Sequence, residues 1–151
     1  MNNKINIKMV NVWHFNCGLK ENKNHMLARN KAYLGLADDS IDYARRAKKS
    51  GSTIKQLENF INKNEVGDYI LLYECRVGYI AYGIFNGNIT EPNSSEDKAP
   101  SWPANSIQKH FGVEKWIFID NPTTKYFFRP TLCMIKKNKE EILNSIKIKI
   151  K

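Results

Sequence analysis

From position 5 to 15 the chain reads INIKMVNVWHF, with apolar and polar residues alternating and the phase shifting near Met9 and Val10. That is the pattern of a half-buried strand carrying a bulge. Asn16 to Asn30 is polar and basic and holds Cys17-Gly18, so it reads as a surface loop or an irregular helix. KAYLGL at 31–36 supplies a short second strand. Ser40 is placed to cap a helix through about Ser50, with Tyr43, Ala44 and Ala47 as a narrow inward face and Gly51 as its stop. Thr53 and Gln56 have the spacing of a capping box, ahead of Ile54, Leu57, Phe60 and Ile61 on one face of a helix ending near Asn64.

The clearest segment is Val66 to Ile89, VGDYILLYECRVGYIAYGIFNGNI, where β-favouring runs are punctuated by glycine. It predicts a hairpin turning near Arg76 to Gly78. Residues 86–103 read as an acidic loop, either a lid or a mobile segment, and a short helix is expected around Asn105 to Phe111 with a stop at Gly112. Two further strands follow at 114–119 (EKWIFI) and 126–135 (YFFRPTLCMI), the second broken by Pro130 and therefore at an edge or a bulge. Asn138 is placed to cap a last helix with Glu140 and Glu141 in its first turn, and IKIKIK closes the chain as a basic edge strand. The sum is an α+β chain of five to seven strands with helices inserted early and late.

The 151 residues fit one domain, with 42% hydrophobic and 11% aromatic residues, ample for a packed core. The 24 Lys and Arg exceed the 15 Asp and Glu to give a formal charge of +9, which favours polyanionic partners through long-range attraction and counterion release. An Asn-, Lys- and Ile-rich composition of the kind codon bias produces is the plainer source of the same charge. Cys17, Cys75 and Cys133 are too scattered for a disulfide framework, and no Cys/His cluster has metal-ligand spacing. No segment reads as a signal peptide or a membrane span, so a cytoplasmic protein without membrane contact, metal or cofactor is expected.

KAYLGLADD, a helical insert, TIKQLENFINK and the Val66–Ile89 hairpin together resemble the PUA-like superfamily. More narrowly, they are similar to EVE and YTH-type domains and to the recognition domains of modification-dependent restriction GTPases. The residues that carry the likeness are Trp13, Gly67-Asp68, Ile70-Leu71-Leu72-Tyr73 and Tyr82-Gly83-Ile84, with FFRPTLCMI as the closing strand. Tyr82-Gly83-Ile84 departs from the Gly-Ile-Gly more usual there. The resemblance implies one PUA/EVE-like domain over 1–151, a mixed β-barrel flanked by helices that grips a base, often a modified one, in an aromatic pocket.

On that reading Trp13, Asn16, Tyr33, Tyr82 and Trp102 are the candidate base-binding residues, with Asn16 reading a base edge through both ends of its amide. Arg45, Arg46, Lys48, Lys49, Arg76 and Arg129 are the candidate phosphate contacts. Core packing is the competing role for Trp13, and a solvated helix end is the competing role for the basic cluster. Trp102, between Pro100 and Pro103 in a polar loop, stands out as an aromatic with little core around it, whereas Trp116 is assigned to the core.

The function expected is that of a non-catalytic reader of nucleic acid, DNA ahead of RNA, acting alone or through an effector protein. A small phage- or defence-associated interaction protein that binds a protein or a nucleotide is the alternative. A metal-dependent nuclease built on Asp68, Glu74 and Arg76 ranks below both, because isolated acids do not make a convergent metal site. His14 with Cys17 lacks the signature of a thiol enzyme.

Overall fold

The structure is a computed structural model and describes residues 10–147. In chain order the elements are β1 (Val12–Asn16), α1 (Lys20–Arg29), β2 (Lys31–Ala37), α2 (Ser40–Arg46), α3 (Thr53–Lys63), β3 (Tyr69–Glu74), β4 (Gly78–Thr90), β5 (Ile107–Val113), β6 (Ile117–Phe118), β7 (Leu132–Met134) and α4 (Lys139–Ser145). The strands form one mixed sheet in the order β2-β5-β4-β3-β1-β7, with β6 beside β4. Helix α3 packs on both β2 and β7, the two ends of that order. The sheet is therefore curled into a half-barrel, and α3 lies across its open seam.

β1 explains why the sheet has two apolar faces. It runs parallel to β3 and antiparallel to β7, pairing Trp13 with Ile70 and with Met134. A strand enclosed on both sides reads as a continuous apolar run, and Val12 to Phe15 is buried throughout. Trp13 and Phe15 enter one core with Ile70 and Leu72 of β3 and with Ile54, Leu57 and Phe60 of α3. Val12 enters a second core with Tyr69, Leu71 and Tyr73 of β3 and Ile142 and Leu143 of α4.

Asp68 locks these layers together. Its carboxylate is buried and accepts hydrogen bonds from the Trp13 indole at 3.0 Å, the Glu65 backbone N–H at 2.9 Å and the Asn11 amide at 3.3 Å. The Trp13 ring meets Phe60 edge-on at 4.6 Å. On the opposite face His14 is fully buried, its Nδ1 2.8 Å from the Tyr79 hydroxyl and its ring among Tyr73, Tyr79 and Phe128.

The hairpin of β3 and β4 turns where the sequence places it, with Arg76 in the left-handed region at φ 67°. Other expectations are corrected. Ile107 to Val113 is a strand and not a helix, because its inward positions Gln108 and His110 are polar and hide the alternation; the His110 Nε2–H donates to Gln108 Oε1 at 2.9 Å. Asn16 to Asn30 contains a regular ten-residue helix, α1, whose inward positions Asn22 and Met26 give little apolar signal.

Asp39, not Ser40, caps α2, which stops at Arg46. Ser52, not Thr53, caps α3, and Gln56 donates to the Gly51 carbonyl and accepts from the Leu132 N–H, so no capping box forms. β4 runs on to Thr90, shortening the loop after it, while the last two strands shrink to Ile117–Phe118 and Leu132–Met134. Asn138 precedes α4 in a left-handed conformation and makes no side-chain cap. The part of the first expected strand before Val10 and the end of IKIKIK lie outside the described residues.

Two stability predictions follow from these buried polar groups. Replacing Asp68 by Ala leaves three buried or part-buried donors without this acceptor and should cost roughly 1–3 kcal/mol in urea unfolding at neutral pH. His14 and His110 are both held neutral, burial lowering each from 6.5 to about 4. Between those values the unfolded chain takes up protons that the folded chain refuses. The contribution of the two histidines should be level above pH 6.5 and fall below it toward pH 4, by up to about 1.4 kcal/mol per pH unit for each. Urea midpoints measured across that range, with His14→Gln flattening the slope, check the assignment.

Candidate functional site

β1 ends at the same level of the sheet as β3, Asn16 pairing with Tyr73. Beyond that point the chain turns away through Gly18, whose φ of +68° suits glycine, and leaves the end of the half-barrel open. A cleft of about 410 Å³ lies there, bordered by the end of β1, the face of β2, Arg46 of α2, Thr53 of α3, Trp102 and Ser106 before β5, and Thr131 before β7. Both ends of the curled sheet contribute to it. The cleft is thus the unfilled part of the seam that α3 covers elsewhere.

Trp102 reaches this cleft because β2 carries a glycine opposite it. A Cβ on Gly35 would come within 3.1 Å of the indole Cη2 and 3.2 Å of Cζ2, so the ring lies directly against the strand. The segment from Glu91 to Ser106, expected as a lid or a mobile loop, is tied down. Ser101 donates its backbone N–H to the buried Asn22 Oδ1 at 2.9 Å and its hydroxyl to Glu21 at 3.2 Å. Ala99 N–H donates to Gln108 Oε1 at 3.2 Å, and His25 Nε2–H donates to the Glu96 carbonyl at 2.9 Å.

Tyr33 forms the floor. Its ring stacks on His110 at 3.9 Å with 24° between planes, and its hydroxyl donates to His25 Nδ1 at 2.5 Å. Burial pushes that hydroxyl up to about 12, and desolvation lowers His25 as well. Cys17 also borders the cleft, but burial, with Glu74 next to it, pushes its thiol up to about 12. A thiol so disfavoured as thiolate is no nucleophile.

Of the residues expected to take a base, the structure brings Asn16, Tyr33 and Trp102 to one cleft. Trp13 and Tyr82 are elsewhere: Trp13 is wholly buried with its N–H given to Asp68, and Tyr82 packs edge-on against Tyr69 at 6.1 Å in the second core. Their places on inward-facing strand positions account for this. Asn16 Oδ1 accepts the Gly18 N–H at 2.9 Å, which turns the amide within the turn that ends β1.

Among the expected phosphate contacts only Arg46 borders the cleft, its Nε 2.9 Å from Asp42. Arg45 pairs with the same carboxylate. Lys48 and Lys49 follow α2 on the surface, Arg129 is exposed two residues before Thr131, and Arg76 is exposed at the hairpin tip. Asp68, Glu74 and Arg76 do not converge: Asp68 points at Trp13, Glu74 pairs with Lys23 at 3.0 Å, and Arg76 sits in the turn. His14 and Cys17 fall into different cores.

Gly35 was not singled out in the sequence, and Thr53 was marked only as a helix cap. A lone glycine inside a strand pattern was the available signal for Gly35, since it marks close approach by another group. Thr53 gave none, its threonine being indistinguishable from a helix cap. If the Gly35–Trp102 contact sets the cleft, Gly35→Ala should displace the indole and shift tryptophan emission, while the melting temperature stays close to native. Fluorescence spectra beside thermal melts test this.

The sequence matches no protein-family model and no curated protein. In fold the chain is similar to the YTH domain of the Zygosaccharomyces rouxii MRB1 protein, solved in complex with N6-methyladenosine RNA, with a TM-score of 0.48 and 12% identity, the match covering 100% of this chain and 94% of that one.

Proposed function

We propose that this protein is a nucleic-acid-binding module that captures a single base, modified bases included, in the cleft beside β2 and performs no chemistry on it. The observation that carries the reading is Trp102 laid against Gly35 at the mouth of a cleft of about 410 Å³ that also holds Tyr33 and Asn16. That volume is in the range of sites for small ligands, roughly 300–1,000 Å³, and the mixture of aromatic wall with a few polar groups is the usual composition of such sites. Stacking on one aromatic face returns about 1–3 kcal/mol, which offsets the few kcal/mol needed to extrude a base.

Charge supports a polyanionic backbone outside the cleft. The chain carries +9 overall, and segments that border the cleft continue into basic residues: Gly18 into Lys20, Arg46 into Lys48 and Lys49, and Thr131 back to Arg129. On this reading these side chains meet phosphates while the base lies in the cleft.

Short fluorescent single-stranded and double-stranded DNA and RNA, with and without modified bases, provide the test. Affinity should fall steeply with added salt as condensed counterions are released. Trp102→Ala should weaken binding about 5- to 150-fold while salt-dependent residual binding survives. Failure of every strand to bind at low salt, or native affinity in Trp102→Ala, would remove this reading.

A further inference from the structure

The indole of Trp102 is placed from two sides, and only one of them is the strand. On β2, Gly35 leaves room for the ring. On the other side, the backbone hydrogen bonds of residues 102–106 among the described residues stay within their own segment. Trp102 N–H donates to the Ala99 carbonyl at 3.3 Å, Ser106 N–H donates to the Pro103 carbonyl at 2.9 Å, and Lys98 Nζ donates to the Ala104 carbonyl. Where the ring lies is therefore set by where Ala99 to Ser101 is held.

The anchor next to Trp102 is Asn22, in the first turn of α1, whose Oδ1 accepts the Ser101 N–H at 2.9 Å. Asn22 is wholly buried, and its Nδ2 makes no hydrogen bond among the described residues. A buried donor without a partner costs stability, and an apolar side chain of similar shape carries no such cost. Native structures keep few of these groups, and each calls for a reason. The other end of the same amide supplies one, since it ties α1 to the residue before Trp102 across 79 positions of the chain.

Resting on the base-capture reading, we propose that Asn22 is a positioning residue for Trp102: its buried amide holds the indole where a base stacks on it and raises base affinity without touching the base. A ring already in place is not ordered at the moment of binding, and the entropy so saved appears as affinity. Neither partner of the bond is charged, so its loss should fall on stacking and leave the attraction for phosphate alone.

The probes are fluorescein-labelled single-stranded DNA and RNA of mixed sequence, each beside a matching strand with abasic sites in place of all its bases. The readout is the affinity ratio of base-bearing to abasic strand, in which the shared attraction for phosphate cancels. Asn22→Leu should cut this ratio about 2- to 12-fold, the worth of one hydrogen bond, with the melting temperature close to native. Asn22→Ala removes the same acceptor without added bulk and should cut the ratio as far, whether or not Leu is accommodated. Asn22→Asp keeps an oxygen for the Ser101 N–H while burying an acid, so its ratio should stay native as its melting temperature falls. In a Trp102→Ala background, Asn22→Leu should lower the ratio no further.

A native ratio in Asn22→Leu and Asn22→Ala overturns the proposal. So does an equal loss in the Trp102→Ala background, or a ratio that simply follows melting temperature across the three variants. Those results leave base capture standing, whereas native protein that binds neither kind of strand, or both kinds alike, overturns base capture and this proposal with it.

Discussion

The buried carboxylate of Asp68 is the constraint on which the sheet depends. It stands one residue before β3 and takes the indole N–H of Trp13, the middle of the first core, so β1 and β3 are held in parallel at one register. A slip of one residue would carry Trp13, Phe15, Ile70 and Leu72 from one face of the sheet to the other. With that register fixed, Asn16 must come level with Tyr73 and the chain must leave the sheet at Gly18. The position of the cleft is thus a consequence of a hydrogen bond made at the other end of the strand.

A curled sheet whose terminal strands do not pair has a seam, and the seam has to be closed. Over most of its length α3 closes it, placing Ile54, Leu57 and Phe60 in the first core. At the mouth, closure falls to Trp102, carried by a segment that α1 and β5 hold through Asn22, His25 and Gln108. The glycine at position 35 is what allows a large ring to lie close against β2. What is left is a cleft that no side chain fills, with the Asn16 amide at its border.

How far the sequence foretold this depended on whether a residue's role was local. YILLYE and the strand after Gly78 were legible because β-favouring residues with a turn between them make a hairpin with little outside help. Helix α3 was legible through its apolar face, though not its cap, because Ser52 and Thr53 are chemically alike and only the backbone decides between them. β5 was misread since Gln108 and His110 face inward as a mutually bonded pair, and α1 was underread since Asn22 is buried to hold Ser101, seventy-nine residues away. Asn16, Tyr33 and Trp102 were marked by residue type and do meet in the cleft, but Trp13 and Tyr82 were marked in the same way and do not. Residue type tells an aromatic from an aliphatic; which side of a strand it faces is decided by the partner strands.

Charge and neutrality are distributed over the site in a way that divides its work. At the floor, Tyr33 and His110 are held neutral, burial lowering His110 to about 4 and raising Tyr33 to about 12, and desolvation lowers His25 beside them. Arg46, the basic residue that borders the cleft, is bound to Asp42, whose carboxylate is held low, at about 2, by the Asp38 backbone N–H and by the arginines. An ion pair at the surface contributes little attraction of its own. On the base-capture reading proposed above, long-range attraction for a polyanion would come from the lysines and arginines outside the cleft, which act alike on every base. Selection among bases would then fall to stacking and hydrogen bonds inside the cleft, at whose border the Gly18 N–H holds the Asn16 amide.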